Sequence, residues 1–225
     1  MRAFYRYCWL PFYRLWALRF IRQTRVYRHE GLELHIPPGV FHPGVFFSTP
    51  IFIQFLKKQS FQGKMVLDMG AGSGLLGLFA AHKGAKVLAV DLNPLAVQTT
   101  KGNAARNGLS SALTVLQSNL FDEIPAQTFD LILINPPYYP KNAANETEMA
   151  FFAGEHLEYF ETLFQQMPHF IHPNTKIWMI LSEDCAYNNI QHFAAKHGFS
   201  LTVVFERKKW GERLFVAQVN KYDRP

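Results

Sequence analysis

Lys64-Met65-Val66-Leu67-Asp68-Met69 runs without interruption into Gly70-Ala71-Gly72-Ser73-Gly74 and then into the apolar Leu75-Leu76-Gly77-Leu78. An apolar run of strand length, a turn built of glycines and an apolar helix start define a strand, turn and helix unit. The alternation continues downstream. Short apolar runs over residues 86–91, 113–117, 129–134 and 176–181 read as strands, and helical stretches begin near positions 74, 94, 155 and 186. Strands alternating with helices predict a doubly wound α/β fold with a mostly parallel sheet. Residues 199–207 and 213–220, joined by the polar turn Lys208-Lys209-Trp210-Gly211-Glu212, add two strands as an antiparallel hairpin, seven in all.

The glycine turn is chemically suggestive. Gly72, Gly74 and Gly77 formally spell the dinucleotide fingerprint, in which glycines cradle a pyrophosphate at a helix N-terminus. Asp68 argues against that guest, because a carboxylate at the strand end repels phosphate and suits a cofactor carrying an amino group and a sulfonium. The second strand ends at Asp91, a carboxylate placed to accept from both hydroxyls of a ribose.

A third feature follows the strand over 129–134. Asn135-Pro136-Pro137-Tyr138 turns the chain sharply, since each proline fixes its own φ and the first pushes Asn135 out of helical space. Neither proline has an N–H, so the Asn135 side-chain oxygen and the Pro136 carbonyl can accept from a foreign NH2 group. Tyr138 offers a ring face on which a planar group can stack. A pocket for an amide or amino-purine nitrogen is the expectation.

These segments, with Asp91-Leu92-Asn93-Pro94 and Asn103-Ala104-Ala105-Arg106-Asn107-Gly108, resemble the class I S-adenosylmethionine-dependent methyltransferases over roughly residues 40–220. Within that class the chain looks most like the HemK group, which methylates the glutamine amide of peptide-chain release factors. The resemblance implies a Rossmann-like methyltransferase fold, S-adenosylmethionine as cofactor, and Asn135, Pro136, Pro137 and Tyr138 as catalytic residues. It further implies that Asp68, Gly70, Ala71, Gly72 and Gly74 line the cofactor, that Asp91 binds its ribose, and that Leu92 and Asn119 meet its adenine. Phe46-Phe47-Ser48-Thr49-Pro50 looks like the stretch that closes over the cofactor, so Thr49 joins that set, although an acidic residue is commoner where Ser48 stands. Residues 150–155 resemble a shortened glycine-containing segment that follows the catalytic turn.

The implied reaction is methyl transfer to a planar amide or amino nitrogen, with a protein glutamine of the release-factor type as lead substrate. Methylation of adenine or guanine amino groups in RNA or DNA is the alternative, because enzymes of those bases share the tetrapeptide. A non-catalytic nucleotide-binding partner or scaffold is the reading from another class. The helical recognition domain that bacterial members of the group carry ahead of the catalytic domain has no counterpart here.

In its place stand 29 residues holding Arg2, Arg6, Arg14, Arg19, Arg22, Arg25 and Arg28, no acid, and nine aromatic rings from Phe4 to Tyr27. We divide the chain into this basic aromatic arm, residues 1–45, and a catalytic domain, residues 46–225. Arginines break every apolar run in the arm, so no membrane-spanning helix fits it, and no small-residue cleavage site follows. Three roles stay open for the arm: an amphipathic helix lying over its own domain, an RNA-facing surface, or a membrane-surface anchor. The net charge of +6 suits the last two. Cys8 and Cys185, without CxxC spacing, point to a reducing compartment, and a cytoplasmic location is expected. His169 and His172 are bracketed by Pro168 and Pro173 with no acidic neighbour in sequence; no metal site is expected.

Overall fold

The computed structural model describes residues 19–137, 141, 153–209 and 211–222. It opens with strands β1 (Arg25–His29) and β2 (Leu32–Ile36), paired antiparallel across Glu30 and Gly31. Both turn residues have positive φ, 50° and 80°, as a tight two-residue hairpin turn demands. Leu32, Leu34 and Ile36 alternate inward into the main core while Glu33 and His35 face outward. The amphipathic-helix reading of the arm therefore does not describe residues 25–29, which pair with β2 and alternate between half-buried Arg25, Tyr27 and His29 and exposed Val26 and Arg28. Residues 1–18 lie outside the described residues.

Helix α1 (Ser48–Leu56) precedes β3 (Met65–Met69), α2 (Leu75–His82), β4 (Lys86–Asp91), α3 (Pro94–Arg106), β5 (Leu113–Gln117) and β6 (Phe129–Ile134). Then come α4 (Glu158–Gln166), a 3-10 turn (Met167–Phe170), β7 (Ile171–Ser182), α5 (Tyr187–Lys196), β8 (Phe199–Lys209) and β9 (Glu212–Lys221). Strands β3 to β9 form a seven-stranded sheet in the order β5-β4-β3-β6-β7-β9-β8, parallel from β5 through β7 and antiparallel at β9. The doubly wound sheet and its closing hairpin are thus as the alternation predicts. Lys208 and Lys209 belong to β8, however, because Lys209 pairs directly with Glu212 and leaves a two-residue turn.

The central strands β3, β4 and β6 are buried on both faces, which is why they read as continuous apolar runs. Val66, Val87 and Leu131 join one apolar layer with Phe52 of α1, Phe79 of α2 and the hairpin residue Leu34. Leu67, Leu88 and Ile132 join the other, with Phe160 and Phe164 of α4 and Ile190 of α5. Residues leaving β3 are followed by strands to one side, β4 and β5, and the chain then returns to β6 on the other side. That reversal opens a crevice at the carboxyl ends of β3 and β6, the place where open α/β sheets receive ligands.

Candidate active site

Register brings the two principal motifs together. Met69 pairs with Ile134 across the parallel β3–β6 ladder, so Gly70 and Asn135 leave the sheet from adjacent strands, about 5 Å apart by sheet geometry. Asn135 Nδ2 donates to Thr49 Oγ1 at 3.0 Å. Thr49 lies in the first turn of α1 and is 5% exposed. The bond uses the NH2 half of the Asn135 amide and fixes its plane, leaving Oδ1 as the acceptor for an incoming group. Pro136 is buried and Pro137 half-buried. Tyr138 lies outside the described residues.

The glycine loop is stitched to its neighbours. Gly70 N and Ala71 N both donate to Val90 O at 2.9 Å, and Gly74 N donates to Ala71 O at 2.8 Å. Gly72 N donates to Asp91 Oδ2 at 2.8 Å, while Asp91 Oδ1 accepts from Asn93 N at 2.9 Å. Asp91 is therefore a turn holder as well as a ribose candidate, and each carboxylate oxygen keeps a further lone pair. The loop offers fewer uncommitted N–H groups than a phosphate cradle needs. Burial raises the Asp91 pKa, and the N–H groups of Gly72, Asn93 and Leu92 oppose the rise.

Asp68 is 1% exposed and its Oδ2 accepts from Gly77 N at 2.8 Å. A Cβ at Gly77 would stand 2.9 Å from that oxygen. The third glycine of the formal dinucleotide fingerprint thus seats Asp68 on the backbone of α2, a role that involves no pyrophosphate. Asp68 Oδ1 is buried with no hydrogen-bond partner among the described residues, and burial pushes the carboxyl up to about 7, the Gly77 N–H opposing and the Asp91 carboxylate adding to it. An orphaned, buried carboxylate oxygen is costly unless a donor arrives to meet it. A cationic amino group would satisfy it, and a phosphate would face two carboxylates instead. On this ground the residues fit an amino-acid-bearing nucleoside cofactor.

At the far side of the crevice Leu92 is 42% exposed, an open apolar face beside Asp91. Ser118 N donates to Asp91 O at 3.0 Å, which sets the next residue, Asn119, on the same rim. Asn119 is exposed and donates from Nδ2 to Asp122 Oδ2 at 3.1 Å. Tyr159 of α4, which no sequence motif singled out, has a buried hydroxyl without a partner among the described residues. Burial raises its pKa, and the Asp91 charge adds to the rise.

The Asn103 and Asn107 pair was equally silent in sequence beyond its place in a family-like string. Asn103 Oδ1 accepts from His35 N at 2.8 Å, and its Nδ2 donates to Ser73 O at 3.0 Å and to His35 O at 3.3 Å. One turn on, Asn107 accepts from Glu33 N at 2.9 Å and donates to Glu33 O at 2.8 Å. Two side-chain amides at i, i+4 on α3 thereby replace a neighbouring strand along β2 and join the hairpin to the glycine loop. Thr100 adds a bond to Gly72 O at 3.1 Å and packs where a Cβ on Gly74 would clash at 2.8 Å.

His172 does have an acidic neighbour, Asp130, whose Oδ1 lies 3.3 Å from its Nε2; the sheet register makes this pairing, which sequence distance hid. Among the described residues no cluster of three or more His, Cys, Asp or Glu is arranged for a metal ion, and no helix is long and apolar enough to cross a membrane.

Sheet order, reversal point and loop constellation define a Rossmann-like methyltransferase domain. The chain belongs to the methyltransferase small domain family, whose model matches residues 31–210, a class I S-adenosylmethionine-dependent family. It is 36% identical over 112 residues to a Methanocaldococcus jannaschii protein named for N5-glutamine methylation, covering 49% of this chain and 53% of that one. It is 38% identical over 113 residues to a ribosomal protein L11 methyltransferase of Pelotomaculum thermopropionicum, covering 48% and 36%. The chain thus aligns with about half or less of the length of these relatives. Among solved structures, the T. thermophilus 16S rRNA N2 G1207 methyltransferase in complex with AdoMet and guanosine is similar in fold, with TM-score 0.63, 20% identity, and coverage of 87% of this chain and 50% of that one.

Proposed function

We propose that the chain is an S-adenosylmethionine-dependent N-methyltransferase of a planar nitrogen, and that its substrate is a glutamine side-chain amide in a protein, of the release-factor type. The observation that carries the reading is the β3–β6 register together with the Asn135–Thr49 bond. It orients the Asn135 amide beside the glycine loop, which supports Asn135 Oδ1, together with the Pro136 carbonyl, as the acceptors for the substrate nitrogen. The relative named for N5-glutamine methylation supports the amide, and the one named for L11 methylation supports a protein.

When bound, the cofactor supplies an electrophilic methyl group on a sulfonium. The chain's residues do the rest. Asp68 Oδ1 would meet the cationic amino group, Asp91 the ribose hydroxyls, and Leu92 one face of the adenine. An amide nitrogen is a poor nucleophile because its lone pair is delocalised into the carbonyl. Two acceptors gripping its N–H groups favour the geometry in which that pair localises, and they stabilise positive charge growing on the N–H groups as the new N–C bond forms. Holding the flat group in place supplies much of the remaining rate. No strong base is required, since the methylated nitrogen is acidic and loses its proton to water.

The same acceptors would take the amino group of adenine or guanine, and the +6 net charge favours that second reading. Incubating the full chain with tritiated S-adenosylmethionine and cell extract separates them. Label removed by protease is the expected result; label removed by nuclease overturns the protein substrate, and no incorporation overturns methyl transfer.

A further inference from the structure

Between β5 and β6 the chain makes a turn over residues 118–123 whose backbone is forced. Leu120, a buried and bulky residue, has a φ of 52°, a left-handed conformation that residues with large side chains rarely adopt. Such a conformation persists only where its surroundings fix it, and it concentrates at functional sites. Three bonds fix this one. Ser118 Oγ donates to Leu120 O at 2.9 Å and accepts from Glu123 N at 3.0 Å, and Asp122 N donates to Asn119 O at 3.2 Å. The residue that the turn presents is Asn119. Its neighbours tie it to the crevice rim beside Leu92, because Ser118 N donates to Asp91 O at 3.0 Å and Gln117 Nε2 to Leu92 O at 3.2 Å.

Hydrogen bonding decides which way the Asn119 amide faces. A carboxylate only accepts. The end of the amide 3.1 Å from Asp122 Oδ2 is therefore its NH2 group, and Oδ1 is left without a partner among the described residues. Asp122 is itself held from α4, where Gln166 Nε2 donates to Asp122 Oδ1 at 2.6 Å. Gln166 cannot turn round either, because its Oε1 accepts from Phe121 N at 3.3 Å. Both amides are thus locked with NH2 on Asp122, and what Asn119 has left to offer a ligand is an acceptor.

We infer that Asp122 and Gln166 are positioning residues that make Asn119 an acceptor for the exocyclic amino group of the cofactor's adenine, so that the site favours a 6-aminopurine over a 6-oxopurine; this rests on the placement of the ribose at Asp91 and of the base on Leu92 proposed above. An amino group at that purine carbon donates, whereas an oxo group accepts and would meet Asn119 Oδ1 acceptor to acceptor. Neither Asp122 nor Gln166 touches the cofactor. They act through the direction in which the Asn119 amide is held, and a turn already fixed in that geometry spends little on ordering when the base arrives.

The test is calorimetry on the full chain with S-adenosylhomocysteine and with S-inosylhomocysteine, in which an oxo group replaces the amino group. The wild-type chain is expected to bind the adenine form about tenfold more tightly. Asp122→Asn keeps the shape and changes the bonding. With Gln166 Oε1 still held by Phe121 N, the new side-chain oxygen accepts from Gln166 Nε2 and the new NH2 faces Asn119, which turns its Oδ1 towards it and presents NH2 to the base. The preference should then fall to parity or invert. Gln166→Leu frees Asp122 to rotate and should cut the preference to about threefold. A merely structural role would weaken both ligands alike and leave their ratio at about ten. A ratio preserved in Asp122→Asn overturns the clamp, and if urea denaturation shows that variant unfolded, a preserved ratio in Gln166→Leu does the same. A wild-type preference that survives in Asn119→Ala, or equal binding of the two ligands by the wild-type chain, overturns the placement of the base at Asn119 and the clamp with it.

Discussion

The amide of Asn135 is held by the hydroxyl of Thr49, 3.0 Å away on a helix 86 residues earlier in the chain. The Asn-Pro-Pro turn is thus oriented by α1 as well as by its prolines. Thr49→Val preserves shape and removes the acceptor, so the Asn135 amide can rotate. We expect kcat to fall about tenfold with little change in cofactor affinity, the scale of one lost hydrogen bond to a positioned group. Steady-state kinetics beside calorimetry checks it, and an unchanged kcat would mean the bond does not orient the amide.

Asn135→Ala removes the acceptor itself. Turnover should drop by roughly a hundredfold or more, as expected for loss of a fixed electrostatic contact in a reacting site. Cofactor binding should persist, and full activity in this variant would remove Asn135 from the mechanism.

Asp91→Ala acts on the other partner. It releases Gly72 N and Asn93 N and deletes the proposed ribose acceptor, so calorimetry should show weakened S-adenosylmethionine binding. Unaltered affinity would overturn the assignment of Asp91.

Asp68 makes the free protein sensitive to pH. Its carboxyl lies at about 7 in the folded chain, against an ordinary value of 3.8. Between those values the folded state holds a proton that the unfolded state has released, so stability falls as pH rises through this window, by at most about 1.4 kcal/mol per pH unit. Asp91, also raised, adds a slope of the same sign. Urea denaturation across the window should show the decline, and Asp68→Asn should flatten much of it. A slope as steep in the variant would locate the effect elsewhere.

Asn103→Ala should destabilise the fold by on the order of 3 kcal/mol, because it strands Ser73 O and both backbone groups of His35 at a residue that is 1% exposed. Chemical denaturation measures this directly, and a loss comparable to a surface substitution would show that water replaces the amide.

Much of the sheet is legible because its central strands β3, β4 and β6 are buried on both faces and read as apolar runs. Strands β4, β5 and β6 have the ends expected from sequence. The last helices start within a few residues of expectation, and Asn93 caps α3 by accepting from Leu95 N at 2.8 Å, with Pro94 at the first helical position. What was hidden depends on contacts far apart in sequence. The β1–β2 hairpin carried a local signal, Glu30-Gly31 between alternating apolar residues, but the arginine and aromatic density of the arm masked it. Asn103 and Asn107 read as an ordinary polar helix face until β2 lies against them. Gly77 fits a dinucleotide pattern in sequence, and only its 2.8 Å bond to Asp68 gives it another purpose.

The ties from Gly70 and Ala71 to Val90, and from Gly72 to Asp91, have a kinetic corollary. Amides so engaged exchange with solvent slowly even in the free protein. Arrival of the cofactor then freezes little backbone that was not already still, so its affinity reports surface complementarity with hardly any contribution from folding of the loop.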